Sequence, residues 1–178
     1  MGNASRKSNL GFDPRILFKN DLETLISLVG PVRVRYPDLI IAPDGIAYLY
    51  RWHVAPRNDH CNIYLHVQVR SDPDRPLHDH PWDNTSHILS GGYDEIVAME
   101  IPPQYPQSVH RKIGDVIHRS ATMPHKLVLP EKYPYAMTLF ITGPKIREWG
   151  FWTDDGWECE KEHIKTEDGV SVNVRGLE

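Results

Sequence analysis

The sequence predicts an all-β sandwich or barrel preceded by one short helix. Three observations point there. Short runs rich in β-branched and aromatic residues recur from residue 32 to residue 152. The chain holds fifteen prolines and twelve glycines, which favours many short elements joined by turns over long helices. One run, NIYLHVQVR (62–70), alternates cleanly. Ile63, Leu65, Val67 and Val69 take one face, and Asn62, Tyr64, His66, Gln68 and Arg70 take the other.

Residues 1–11 read as a loose polar lead. NDLETLISLV (20–29) is the one expected helix, because Leu22, Leu25, Ile26 and Val29 repeat at helical spacing. Asp21 is its expected N-cap, and Gly30-Pro31 its expected stop. VRVRY (32–36), LIIA (39–42) and IAYLYRWHV (46–54) are expected strands, separated by Pro37-Asp38 and Pro43-Asp44-Gly45. After 62–70 come SHIL (86–89), GYDEIVAMEI (92–101), SVHRKI (108–113), DVIHRS (115–120), KLVL (126–129), AMTLFITG (136–143) and KIREWGFW (145–152). The acidic tail 153–178 is expected to wrap the surface. No repeat or composition break divides the chain, so residues 1–178 are read as one domain with a core of about 46–152.

Composition narrows the function classes. A formal net charge of −4 argues against a nucleic-acid backbone as partner. No stretch approaches the ~20 apolar residues of a membrane span, and MGNASRKSNL has no apolar signal core, so a cytoplasmic protein is expected. Arg6 stands where a myristoylation site needs Ser or Thr. Cys61 and Cys159 belong to no CxxC pair, and a disulfide between them is the minority option for a chain without a secretory signal.

The chemistry centres on RPLHDHPWDN (75–84). His78 and His80 are two apart, so on a strand both imidazoles leave the same face and converge on one ion. Asp79 faces the other way, as a supporting or surface group. Asp72, Asp74 and Arg75 precede the pair and are expected to fix a tight turn. A second segment, GDVIHRSATMPH (114–125), opens on a Gly-Asp turn, runs through a strand and a bend, and ends on Pro124-His125.

Together these two segments resemble the two motifs of the cupin family, over about residues 62–143. The resemblance implies a double-stranded β-helix, a jelly-roll barrel, with one divalent metal held inside by His78, His80 and His125. The glutamate of the first motif has no counterpart at Asn84 or Thr85, so the fourth ligand is left between Asp83, Glu95 and water. Ser120-Ala121-Thr122 replaces the usual P-x-G bend. More widely, YLYRW, NIYLH, RSDPDRPLHDHPWD, SHILSGGYDE and TLFITGPKIREWGFW look like a group of small bacterial and phage-associated cupin-like proteins. That likeness speaks to the fold and leaves the reaction open.

Three imidazoles with an optional carboxylate suit Fe(II), Zn, Ni or Mn. The function expected from this is metal-dependent catalysis on a small molecule, foremost an Fe(II)-type dioxygenase. The alternatives are a non-oxidative isomerase or epimerase, and a small-ligand-binding cupin without turnover. Tyr64, His66 and Arg119 are the candidate catalytic residues. Tyr64, His66 and Arg70 are pocket residues if their face looks into the barrel, and surface residues if it looks to solvent. Arg119 and Arg147 are candidates to clamp a substrate carboxylate, set against structural ion-pair roles. Trp82 either walls the pocket or plugs the barrel end. Sheet edges that pair across a two-fold axis would give a homodimer.

Overall fold

In the computed structural model, residues 21–42, 45–73, 75–163 and 170–173 are described. Helix α1 spans Leu22–Arg33. The strands are β1 (Leu39–Ala42), β2 (Leu49–His53), β3 (Asn62–Gln68), β4 (Leu77–His78), β5 (Asn84–Ser90), β6 (Gly92–Val97), β7 (Gln107–Lys112), β8 (Val116–Arg119), β9 (His125–Val128), β10 (Ala136–Thr142), β11 (Gly150–Thr153), β12 (Gly156–Cys159) and β13 (Val170–Asn173). A short helix α2 covers Glu160–His163.

The strands form two antiparallel sheets. One has the order β13-β1-β2-β3-β10-β5-β8, the other β12-β11-β4-β9-β6-β7. From β3 onward the chain passes between the sheets, so that β3-β10-β5-β8 lies opposite β4-β9-β6-β7. That interleaving of eight strands is a jelly roll, an all-β solution that cupins share. Gly91 makes the tight β5–β6 passage possible. Its φ is +67°, and a Cβ there would lie 2.1 Å from the Tyr135 carbonyl oxygen.

The first sheet buries both faces. Its outer face lies under α1, where Trp52, Ile63, Leu65, Leu89 and Leu139 pack against Leu25 and Val29. The alternation of NIYLHVQVR therefore resolves in one direction. Its apolar face meets the helix, and Tyr64, His66 and Gln68 look into the barrel, all buried. The interior is polar toward one end and is closed at the other by an apolar cluster of Ile88, Tyr93, Ile117 and Ala136.

Several expected boundaries move. Asp21 caps α1 as expected, accepting from the Thr24 N–H at 3.4 Å. The helix does not stop at Gly30-Pro31 but runs to Arg33 with Pro31 in its last turn. Packing explains this, because Val29 and Val32 both contribute to the contact with the sheet. VRVRY accordingly forms no strand, and its alternation is spent in solvent, with Val34 and Tyr36 exposed. Of KIREWGFW only Gly150–Trp152 is extended. The expected surface tail instead supplies β12, paired with β11, and β13, paired with β1. The polar lead 1–11, Asp44 of the second turn and Asp74 lie outside the described residues. Cys61 and Cys159 are not bridged. Among the described residues no helix is long and apolar enough to cross a membrane.

Leu139 is fully buried between α1 and the sheet. Leu139→Ala is expected to lower stability by about 3 kcal/mol, measured by urea unfolding followed by circular dichroism.

Candidate metal centre

The two sequence segments meet across the β4–β9 pair, where His78 stands opposite His125. Two links then draw His80 in. Its backbone N–H donates to the Ala121 carbonyl at 3.0 Å, and the Ala121 N–H donates to Asp83 Oδ1 at 2.7 Å. The Ser-Ala-Thr bend that departs from the cupin pattern is thus the piece that His80 and Asp83 of the HDHPWD segment both hold.

As a result one ring nitrogen from each of His78, His80 and His125 lies within 4.8 Å of the others. The ring centroids are 4.9–5.2 Å apart, and His80 Nε2 faces His125 Nε2 at 2.8 Å. Nitrogens sharing an ion at the usual ~2.0–2.1 Å stand about 3 Å from one another. The donor set also suits an ion chemically. Burial is the largest cause lowering the pKa of all three imidazoles, His125 to about 3 and His80 well below its ordinary value, and neighbouring positive charge adds to it for His80. All three rings are therefore neutral near pH 7, with lone pairs available to a cation.

Behind the triad sits Glu95 of β6, fully buried. His125 Nδ1–H donates to Glu95 Oε1 at 2.9 Å, which leaves Nε2 for the site. The same carboxylate accepts from Arg119 Nε at 2.5 Å and from Arg111 Nε at 2.7 Å. Burial alone would raise the Glu95 pKa. The bond from His125 and the charge of Arg119 outweigh it, and the group lies well below the ordinary carboxylate range. Arg119 continues the network to Ser86 Oγ, Asn84 Oδ1 and the Tyr93 hydroxyl.

That strand order, with both histidine segments meeting inside it, decides the fold. The chain folds as a jelly roll of the kind that cupins have. Comparison with known proteins gives structural neighbours only, for no family model and no curated protein matches. The neighbours include the Fe(II) form of HppE, at 12% identity and TM-score 0.48 over 58% of this chain. The chain covers 55% of that protein's length. A cupin superfamily protein from Desulfitobacterium hafniense DCB-2 is similar at 16% identity and TM-score 0.42, over 54% of this chain and 77% of its own. The DMSP lyase DddQ from Ruegeria pomeroyi DSS-3 is similar at 15% identity and TM-score 0.46, over 70% of this chain and 62% of its own.

The other expected residues fall as follows. Asp83 is not brought to the three imidazoles, because its carboxylate is occupied by the Ala121 N–H. Glu95 is not brought there either, since it bonds the far nitrogen of His125. Arg119 is buried as the partner of Glu95, and Arg147 is held by Asp79 at 2.6 Å, so neither reaches out as a clamp. Asp79 is wholly buried and supports the site from behind. It accepts from the Gly150 N–H and from Trp157 Nε1, which fastens β11 and β12 to the histidine segment. Asp72, expected to fix a tight turn, instead ties the segment before the pair to β9, accepting from the Leu127 N–H at 2.7 Å. Tyr64 and His66 lie inside the barrel, where His66 stacks on Phe140 with ring centroids 4.9 Å apart. Trp82 lies on a cavity of about 450 Å³ that has His78 and His80 in its wall. Sequence reasoning missed a further wall residue, Arg51 of β2.

Two outcomes are expected. Glu95→Gln should weaken metal affinity by about 10–100-fold, read by competitive chelator titration. Unfolded histidines titrate near ~6.5, but His125 titrates at about 3 in the folded protein. Between those values the unfolded chain binds more protons. The metal-free protein should therefore be most stable above about pH 6.5 and lose stability as pH falls toward 3, followed by urea midpoints across that range.

Proposed function

We propose that this chain is a metal-dependent enzyme acting on a small molecule, with one divalent ion held by His78, His80 and His125. The observation that carries the reading is the convergence of three neutral imidazole nitrogens within 4.8 Å, with His78 and His80 on the wall of a cavity of about 450 Å³. That volume falls within the range of small-molecule sites. An ion bound by three protein ligands keeps open positions and supplies Lewis-acid or, for iron, oxygen chemistry there. The chain's own contribution is positioning and water exclusion. Glu95 holds the His125 ring and its tautomer, Asp79 holds the backbone between His78 and His80, and Trp82, Trp149 and Phe151 wall the cavity with aromatic surface.

The reaction favoured is a dioxygenase of the Fe(II) type, in keeping with an all-histidine donor set. A second reading, a non-oxidative isomerase or epimerase, draws on groups able to move protons. Tyr48 and Asp72 both line the cavity, and burial raises the pKa of each, keeping the Tyr48 hydroxyl protonated.

Protein purified without a histidine tag is expected to carry near one equivalent of metal, and His78→Ala and His125→Ala to lose most of it, by elemental analysis. Unchanged metal in both variants would sink the ligand assignment. Oxygen uptake by the iron-loaded protein with a panel of small acids supports the oxygenase. Turnover without oxygen uptake supports the isomerase, and ligand binding without turnover leaves a binding protein.

A further inference from the structure

Arg51 stands on β2 opposite His66 of β3, in the inward-facing register. Its Nε–H donates to His66 Nε2 at 2.8 Å, and its guanidinium carbon sits 4.9 Å from the centroid of the Tyr64 ring. Those two contacts fix the plane of the guanidinium. They also use only one of its nitrogens. Among the described residues the two Nη nitrogens make no hydrogen bond and no carboxylate forms an ion pair with Arg51, which nonetheless lines the cavity beside His78 and His80. A guanidinium held in plane and facing the cavity with its parallel N–H pair unspent matches the two oxygens of a carboxylate.

The rest of the wall agrees. Its cations are Arg51, Arg75 and Lys126, and its carboxylates are Asp72 and Glu160. Asp72 is already held by the Leu127 N–H and by Gln68 Nε2. Leu39, Trp82 and Phe151 give the same cavity an apolar lining. The other two arginines considered for a clamp are committed elsewhere, Arg119 to Glu95 and Arg147 to Asp79.

We infer that the cavity takes a small organic carboxylate, held in bidentate fashion by Arg51 Nη1 and Nη2, with its apolar body against the aromatic wall and its reacting end toward His78 and His80. His66 and Tyr64 act as positioning residues that keep the fork aimed. The placement of the reacting end rests on the metal reading above, whereas the carboxylate fork does not.

The test is calorimetric titration of the full chain, metal-free and zinc-loaded, with benzoate and benzamide and with butanoate and butanamide. At least one carboxylate is expected to bind tenfold or more tightly than its amide. Arg51→Gln is expected to remove that preference. A wild-type preference below tenfold for both pairs overturns the inference, as does inorganic phosphate binding more tightly than either carboxylate, or an Arg51→Gln protein that keeps the preference. The wild-type comparison needs no variant and decides the matter if Arg51→Gln does not fold. Zinc stoichiometry in the same samples reports on the imidazoles separately. Protein that binds no zinc but prefers carboxylates overturns the metal reading and leaves this one standing.

Discussion

The buried Glu95 carboxylate is the interaction on which the rest of the interior depends. It is borne by one sheet and gripped by Arg119 from the other, so a single ion pair crosses the barrel. A carboxylate and a guanidinium taken out of water cost several kcal/mol each, and only dense pairing offsets that. Here the pairing is dense. Two guanidinium nitrogens and one imidazole N–H converge on two oxygens, and the Arg119 fork is completed by Ser86, Asn84 and Tyr93. The network leaves little freedom for β6, β8 and β9 to shift against each other. It therefore sets the place and tautomer of His125, and through the β4–β9 pair the place of His78.

This arrangement divides labour between the two halves of the barrel. The apolar end, built on Ile88, Tyr93, Ile117 and Ala136, packs as an ordinary core. The other end collects groups that cores normally reject: four histidines, a tyrosine and an arginine. They are tolerated because the main apolar burial has been moved outside the barrel, under α1. The helix is thus what permits a polar interior, although it touches none of the groups in the metal centre.

Much of this was legible in the sequence, and the exceptions have physical causes. Strand alternation and turn residues were enough to read an all-β sandwich or barrel, and the resemblance of the two histidine segments to the cupin motifs supplied the jelly roll and the candidate set His78, His80 and His125. The role of Glu95 was not legible as an outer support, because spacing shows that a carboxylate is near and not which nitrogen it meets. Asp83 looked like a ligand from its place after Trp82. In the folded chain its Oδ1 instead accepts the Ala121 N–H, so the carboxylate holds the bend, a contact that sequence spacing does not show. Arg51 was invisible for a different reason. Alternation in β2 and β3 shows two faces but does not say which is covered by a helix, so its inward face could be named only once α1 was placed. The expected strand at 32–36 failed because a local period yields to the burial that continuing the helix gives Val29 and Val32.

The anchoring of Asp79 bears on how the protein is made. The residue between His78 and His80 holds the Gly150 N–H and the Trp157 indole, some seventy positions further along the chain. A growing polypeptide that has emerged only as far as His125 owns every imidazole but not the hairpin that braces them. Its site is then three side chains on an unsupported strand. On the function proposed above, tight capture of an ion would wait for the stretch that carries Gly150 and Trp157 to join the fold.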